Sequence, residues 1–172
     1  MKYHFKKFIG IDPGKSGGIA VLTGKTVKVY ACPRTVEDMA VLMGLCLSDV
    51  SAYEVKVNVE KVWAFPTDGR RGSFSFGENY GQWQGILASH EIEPTYLTPK
   101  AWQSHFEVKK GLPKNVRKKI LKQMAKDKCP ETKGITLKTA DALLIAIHGL
   151  EAHLSHDNEL PRVYPTSAKK VL

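Results

Sequence analysis

Short runs of apolar residues alternate with turn residues over the first third of the chain. The runs cover residues 5–12, 19–22 and 26–31, and proline and glycine residues separate the first two. Runs of this length, bounded by turn residues, are typical of buried β-strands. Only the turn 23–25 separates the second run from the third, so we expect a tight hairpin there. The chain is therefore predicted to open with an antiparallel meander of three strands.

The pattern then becomes helical, with two strand-like interruptions. Residues 35–48 place apolar side chains at helical spacing, and Thr35 is a suitable N-cap residue. Residues 54–60 and 93–97 have the character of strands, and residues 64–74 form a predicted loop rich in Gly, Arg and Pro. The remaining predicted helices are 75–89, a segment that begins at Pro99, 113–127 and 138–153.

This order of elements predicts an α/β fold with a mixed five-stranded sheet flanked by helices. The later strands alternate with helices, which is typical of parallel additions to a sheet. A chain of 172 residues is long enough for one domain with a substantial core. We assign residues 1–154 to that domain. Residues 155–172 contain two prolines and scattered polar residues, and we expect them to form a loosely structured tail.

The composition narrows the class of protein. A net charge of +9 and an isoelectric point of about 9.4 favour a polyanionic partner, although a generally basic surface would give the same values. Three widely spaced cysteines form neither a metal-binding pair nor a disulfide framework, which fits a reducing cytoplasm. No apolar run is long enough to span a membrane, and the first one reaches Asp12 too early for a signal peptide.

Three acidic residues lie in apolar surroundings. Asp12 ends the first predicted strand, Glu60 ends the strand 54–60, and Asp141 lies in the most apolar helical stretch of the chain. Each acid alone has an ordinary explanation, as a turn residue, a solvated strand end or a partner of a helix N-terminus. Carboxylates are rarely buried without a positive partner, however. Since sites collect at the carboxyl ends of parallel strands, we expect the three acids to meet around a divalent metal, which in a basic protein suggests a nuclease.

Nucleotide binding is a weaker explanation for the first of these acids. Residues 10–16 have three residues between their two glycines, whereas a P-loop needs four. The phosphate loops of actin-like proteins and sugar kinases need two large lobes, for which this chain is too short. We therefore expect no nucleotide cofactor.

Six segments, in order along residues 7–150, carry a more specific signal. Those around the acids are Phe8–Gly14, Val59–Trp63 and Ala140–Ala146, and the others are Ser73–Gly77, Tyr80-Gly81 and Thr98–Gln103. The first three resemble the signature segments of RuvC-type Holliday junction resolvases, which have the ribonuclease H fold. The other three resemble the phage-encoded branch of that family. The resemblance implies a homodimer that binds four-way DNA junctions and nicks two strands symmetrically, using magnesium or manganese.

The resemblance also implies roles at the site. Members usually hold their metals with four acids, and Asp12, Glu60 and Asp141 match three of them. The fourth position, three residues before the last Asp, is Lys138 in this chain. Lys138 either supplies positive charge where a weakly held metal would lie, as part of the catalytic site, or is an ordinary solvated lysine.

The chemistry of phosphodiester hydrolysis suits these acids. It needs a deprotonated water, a Lewis acid on the phosphoryl oxygens and charge relief on the leaving oxygen, all of which two metals can supply. Hard oxygen ligands select magnesium or manganese. Asp12, on the central strand, is the natural bridging ligand, with Glu60 and Asp141 each favouring one metal. No His or Cys cluster offers a competing zinc site.

Basic and aromatic residues supply candidate DNA contacts. Nine basic residues crowd positions 109–128 with few acids among them, so self-repulsion favours a phosphate partner over a merely solvated face. The predicted contacts are Lys114, Arg117, Lys118 and Lys122 in this segment, together with Arg70, Arg71 and Lys100. Trp63, where relatives carry an aromatic that stacks on bases, is either a further contact or a core residue. Phe74 and Phe76 are other stacking candidates.

Three glycines recur every four residues along the predicted helix 75–89. Gly77, Gly81 and Gly85 each weaken that helix by up to about 1 kcal/mol relative to alanine. Such a stripe marks the close approach of another helix, either within the fold or across a dimer. The resemblance favours the dimer.

The function that these signals predict is that of a magnesium-dependent endodeoxyribonuclease that resolves four-way DNA junctions by paired, symmetric nicks. It would act in the cytoplasm, and in the bacterial host's cytoplasm if phage-encoded. Two other hypotheses stay open. One is a nuclease of the same fold that acts on flaps or RNA. The other is a junction-binding protein that has lost cleavage through Lys138.

Overall fold

The computed structural model describes residues 5–24, 26–63 and 69–156. Its strands are β1 Lys7–Asp12, β2 Gly18–Thr23, β3 Thr26–Ala31, β4 Val55–Glu60 and β5 Thr95–Leu97. Its helices are α1 Val36–Leu47, α2 Arg70–Ser89, α3 Pro99–His105, α4 Lys114–Lys128 and α5 Ala140–His156, with a short 3-10 helix at Ala52–Glu54.

The strands form one mixed sheet in the order β3-β2-β1-β4-β5. β1 pairs antiparallel with β2 and parallel with β4, and β5 continues the parallel half. The predicted α/β class, meander and mixed sheet are therefore confirmed. Ile11 of β1 is opposite Val59 of β4, so the last residues of these two parallel strands lie side by side.

Helices cover both faces of the sheet. α3, α4 and α5 pack on one face through a cluster that includes Trp102, Leu121 and Leu144. α1 and α2 pack on the other face around Met39 and Trp83. Every residue of β1 is buried, so this strand is the centre of the core. Among the described residues, no helix is both long and apolar enough to cross a membrane.

α2 begins earlier than the sequence predicts. It starts at Arg70, so Arg71 and Phe74 lie on a helix and not in a loop. The loop prediction is wrong over these residues because it relied on their glycine content. Gly69 is the residue just before the helix, and Gly72 costs only about 1 kcal/mol relative to alanine inside it. The packing of a helix of 20 residues outweighs that cost.

α5 begins at Ala140, two residues later than predicted. The turn before it is held by Thr139, whose hydroxyl donates to the carbonyl of Gly134 and accepts from the amide of Thr136. Lys138 therefore lies in this turn and not in the first turn of the helix.

Two predictions fall partly outside the described residues. Residues 64–68 of the predicted loop and 157–172 of the predicted tail are not among them. Residues 155 and 156 belong to α5, so the helix continues past position 154. The division into a domain at 1–154 and a loose tail stays a prediction.

Close contact between β1 and α5 depends on the glycine at position 10. A Cβ atom added to Gly10 would lie 2.1 Å from the carbonyl oxygen of Ala142 and 2.4 Å from the amide nitrogen of Ala146. Both are backbone atoms of α5, so neither can move without the helix. This approach brings the first turn of α5, with Asp141, to the end of β1.

Gly10→Ala should destabilise the protein, because α5 has to move away from the central strand. We expect a loss of about 1–3 kcal/mol or more in the free energy of unfolding, measured by urea denaturation. Gly44→Ala in α1 is the matched control, since a Cβ added there meets nothing within 4 Å. It should gain up to about 1 kcal/mol from helix propensity. Equal stability of the two variants would contradict the close approach of α5 to β1.

Candidate active site

The three predicted acids converge at one end of the sheet. Asp12 and Glu60 are the last residues of β1 and β4, and Asp141 lies in the first turn of α5. Asp12 and Asp141 are buried, and Glu60 is partly buried. The carboxyl groups of Asp12 and Glu60 are close enough to share a hydrogen bond. The structure thus joins three side chains from distant parts of the sequence, as predicted from the two strand ends and from the apolar helix that carries Asp141.

A lysine from α4 completes this group. Lys118 donates a hydrogen bond of 2.5 Å from Nζ to Oδ2 of Asp141, and the same Nζ lies 3.7 Å from Oδ2 of Asp12. The sequence predicts Lys118 as a DNA contact and does not place it among the acids. Lys138 is exposed and makes no ion pair within the described chain. The ammonium group at the carboxylates is therefore that of Lys118, and a catalytic role for Lys138 stays a prediction.

Glu60 is oriented by a buried tryptophan. The indole Nε1 of Trp102, in α3, donates to Oε1 of Glu60 over 2.8 Å. Trp102 has no exposed surface, so packing fixes the direction of this donor. The sequence does not single out Trp102 as a site residue. Its one signal is its place in Thr98–Gln103, a segment that carries the family resemblance.

Burial and mutual repulsion change the ionisation of this group. Burial, followed by the charges of Glu60 and Asp141, raises the pKa of Asp12 well above its ordinary value, and Lys118 only partly offsets this. Burial also raises the pKa of Glu60, against the hydrogen bond from Trp102. For Lys118, burial lowers the pKa, but the attraction of Asp12 and Asp141 outweighs burial and the pKa is raised. The lysine therefore stays charged, whereas Asp12 and Glu60 favour a proton or a neighbouring cation.

The donor chemistry of the group suits a hard divalent cation. One lysine does not balance three ionised acids, and Oδ1 of Asp141 is buried without a hydrogen-bond partner among the described residues. Carboxylate oxygens are the ligands that magnesium and manganese prefer. However, no three acidic, His or Cys side chains of the described chain are grouped so that they already could hold one ion. Because Lys118 bonds to Asp141 and approaches Asp12, a metal at these acids requires the lysine to move.

The loop after Asp12 is held by an asparagine from α2. The amide of Gly14 donates to Oδ1 of Asn79 over 2.6 Å, and Gly14 has a φ of 111°, which suits glycine. The amide nitrogen of Asn79 faces two buried sulfur atoms. A Cβ added to Gly17 would lie 2.0 Å from the carbonyl oxygen of Asp12, so the loop folds tightly back on the end of β1. Nothing in the sequence identifies Asn79 as the side chain that fixes this loop.

An apolar groove opens beside Glu60. Its volume is about 480 Å³, and its walls include Trp63, Phe76, Pro99 and Lys100. Trp63 is 49% exposed, so the alternative that it is a core residue is wrong. Phe74, on α2, is 74% exposed. The groove thus presents flat apolar surface next to a candidate catalytic carboxylate.

The basic residues predicted as DNA contacts lie on three helices. Lys114, Arg117 and Lys122 belong to α4, Arg70 and Arg71 begin α2, and Lys100 lies in α3. Lys114 and Lys122 are each one turn from Lys118 and share its side of α4. Positive charge therefore continues in both directions along the helix that reaches the carboxylates.

The glycine stripe of α2 faces open space. Cβ atoms added to Gly77, Gly81 and Gly85 would meet nothing within 4 Å. The alternative that the stripe packs against another helix within the described fold is therefore wrong. The dimer contact stays a prediction.

Comparison with known proteins finds similarity in structure. No family model and no curated protein matches the chain. T. thermophilus RuvC in complex with a Holliday junction substrate has a TM-score of 0.56 at 14% sequence identity, over 88% of this chain and 96% of that chain. A second structure, of Thermus thermophilus RuvC, has a TM-score of 0.54 at 15% identity, with the same coverage. The chain therefore has the RuvC fold, a ribonuclease H-like mixed sheet with flanking helices, as the sequence resemblance predicts.

Asp12→Asn should stabilise the metal-free protein near neutral pH. The pKa of Asp12 is raised in the folded state well above its ordinary value, so the folded protein keeps a proton that the unfolded chain releases. The stability that this carboxyl group contributes is present at low pH and is lost as the pH rises through the folded pKa. Asparagine carries no charge, so the variant does not lose this stability as the pH rises.

The measurement is thermal unfolding in a chelator over a range of pH. The midpoint of Asp12→Asn should exceed that of the unmodified protein at about pH 7.5, and the difference should shrink towards about pH 4. Asp38→Asn, at an exposed position in α1, is the control and should show no such trend. A variant that is less stable at every pH would mean that Lys118 compensates Asp12 fully.

Proposed function

We propose that this chain is a divalent-metal-dependent endonuclease that resolves four-way DNA junctions by paired nicks. The observation that carries the proposal is the convergence of Asp12, Glu60 and Asp141 around one cation at the ends of two parallel strands. The RuvC fold supports the choice of substrate, since one of the similar structures is a complex with a Holliday junction. The excess of basic residues suits a polyanionic partner.

The three acids would hold the metal, with Asp12 between the other two. Magnesium or manganese would act as the Lewis acid on the phosphoryl oxygens and as the activator of water. The chain's own contribution is orientation and charge. Trp102 fixes the direction of Glu60, and the ammonium group of Lys118 stands where a phosphate group would meet the carboxylates. A metal held by the acids would displace that ammonium, whose positive charge would then suit the phosphate group.

The surroundings of the acids supply the DNA contacts. Lys114, Arg117 and Lys122 would follow the phosphate backbone along α4. The groove beside Glu60 would receive an unpaired base against Trp63 and Phe76, since base stacking on aromatic rings contributes about 1–3 kcal/mol per base. Arg70, Arg71, Phe74 and Lys100 border this region from α2 and α3.

A homodimer would supply the second cut of a pair. The open glycine stripe of α2 allows a second copy to approach the helix backbone closely. α2 also carries Asn79, which holds the loop after Asp12, so the same helix would serve both the interface and the site.

One observation favours a binding protein without cleavage. Lys118 already pairs with Asp141, and the position of the usual fourth acid is Lys138, so the site has three acids with a lysine among them and lacks the fourth acid. Such a site could hold a junction without a metal. A nuclease acting on flaps or RNA is the other outcome, and it is separated from the main proposal by the substrate that is cut.

Asp12→Asn, Glu60→Gln and Asp141→Asn should each abolish nicking of a synthetic four-way junction and preserve junction binding. Each change removes a ligand charge and little volume. We expect a loss of at least about 100-fold in the single-turnover rate, since charge stabilisation of a transition state by one group is worth roughly that factor. Glu37→Gln, an exposed acid at the start of α1, should cut normally. Near-normal nicking by any of the three variants would contradict the role proposed for that acid. If the unmodified protein cuts a flap or an RNA–DNA hybrid in preference to the junction, the proposed substrate is wrong.

Lys118→Met should bind manganese more tightly and nick more slowly. Methionine keeps the length of the side chain and removes the charge that competes with the metal. We expect an affinity gain of roughly ten- to hundredfold by calorimetry without DNA, since a unit charge about 4 Å away is worth about 1–4 kcal/mol. Lys122→Met, one turn further along α4, removes the same charge away from the acids and is the control. Equal affinities of the two variants would show that Lys118 does not compete with the metal.

A further inference from the structure

We propose that Glu151, far from the carboxylates on α5, is a positioning residue that sets where α3 and α4 place Trp102 and Lys118. Its carboxylate bonds to the last residue of each of these two helices. Oε2 lies 2.6 Å from Nε2 of His105, and Oε1 accepts a hydrogen bond of 2.9 Å from Nζ of Lys128. One side chain therefore anchors both helices that reach the candidate site.

The two ion pairs between α4 and α5 share one register. Lys118 pairs with Asp141 and Lys128 pairs with Glu151, and both pairs are 23 residues apart in the sequence. The helices therefore run parallel, and the second pair lies about 15 Å along them from the first, at about 1.5 Å per residue. The buried Leu121 and Ala125 lie in α4 between the two lysines. The pair of Lys128 and Glu151 thus limits how far α4 can shift along α5. It therefore also sets how closely Lys118 approaches the acids.

The contact between Glu151 and α3 positions Trp102 in the same way. His105 follows Trp102 by three residues, so both side chains lie on one side of a short helix. Trp102 holds Glu60 at the site, while His105 holds Glu151 at the opposite end. A helix of only 7 residues has little internal stability, so its position depends on these two contacts together with the packing of the buried Trp102.

The contacts of Glu151 with Lys128 and His105 depend on the negative charge of its carboxylate. Lys128 also lies 5.2 Å from the centre of the Phe106 ring, and the His105 ring lies 4.8 Å from the ring of His148. Burial raises the pKa of Glu151, but its hydrogen bonds to His105 and Lys128 outweigh burial and the pKa is lowered. The carboxylate is therefore ionised at neutral pH. Without its charge, Lys128 is left without an ion-pair partner among the described residues, and the ends of α3 and α4 lose their common tether.

The inference rests on the proposed function, because it treats Lys118 as a competitor of the metal. When α4 is less firmly held, Lys118 leaves Asp141 more often, and a divalent ion gains access to the acids. A direct effect of charge has the opposite sign. Removing a negative charge about 15 Å away would weaken binding of a cation slightly, since salt screens charges beyond about 10 Å. The direction of the change therefore separates positioning from charge.

The experiment is a double-mutant cycle of Glu151→Gln and Lys118→Met, with manganese affinity measured by calorimetry in the absence of DNA. Glu151→Gln alone should bind manganese roughly two- to fivefold more tightly. In the Lys118→Met background, the same change should have no effect, because the competing ammonium is absent. Glu54→Gln is the matched control, since it removes another partly buried carboxylate that pairs with a lysine, Lys6, and it should leave the affinity unchanged.

Hydrogen exchange of the metal-free variants provides a second readout. Glu151→Gln should lower the protection of backbone amides in α3 and α4 and leave α1 and the sheet as they are, whereas Glu54→Gln should change neither helix. Unchanged protection of α3 and α4, weaker manganese binding, or the same effect of Glu151→Gln in both backgrounds would each overturn the inference. If Lys118→Met itself leaves manganese affinity unchanged, the metal-site proposal fails, and the exchange data alone decide whether Glu151 positions the helices.

Discussion

Repulsion among three carboxylates in a buried corner of the sheet is the constraint around which this fold is arranged. Burial and the charges of the neighbouring carboxylates raise the pKa of Asp12, and burial raises the pKa of Glu60, so the ionised forms of these two acids are disfavoured. A structure can keep such a group only if a cation lies among the acids and the surrounding packing is strong. Lys118 is that cation here. The packing comes from α5, whose first turn carries one of the acids and whose apolar length is buried on the central strand.

The meeting of the acids is predictable because each one is tied to an element with a clear pattern. Asp12 and Glu60 end short apolar strands, and the carboxyl ends of neighbouring parallel strands lie together. Asp141 begins a long apolar helix that could be buried only by packing across the sheet. The opening meander follows from the short turns between its strands, and the parallel additions follow from the later alternation of strands with helices. These features depend on local periodicity, which a sequence shows directly.

The partners of the acids could not be found in this way, because they depend on tertiary position. Lys118 is one of nine basic residues in 20 positions, and nothing in its neighbours distinguishes it from the rest. Lys138 has a clearer sequence argument, yet it lies in the turn before α5 and faces solvent. That turn is set by hydroxyl bonds of Thr139, which helical periodicity does not show. The donor of Trp102 and the acceptor of Asn79 likewise come from helices that only the packing brings to the site.

The position of the cation on α4, and not beside Asp141 on α5, has a mechanical consequence. A lysine on α5 would move with Asp141 and would repel a metal permanently. A lysine on a neighbouring helix can exchange partners by a change of its own side chain, while α4 stays held by the buried Leu121 and Ala125 and, at its far end, by the pair of Lys128 and Glu151. Lys114 and Lys122 share the side of α4 that carries Lys118, so a phosphate backbone drawn to that side would attract the lysine away from the carboxylates. Arrival of DNA would then open the acids to a metal at the moment when a phosphate group is present. On the proposed function, the three acids would thus face an internal cation before a metal binds and the metal itself afterwards.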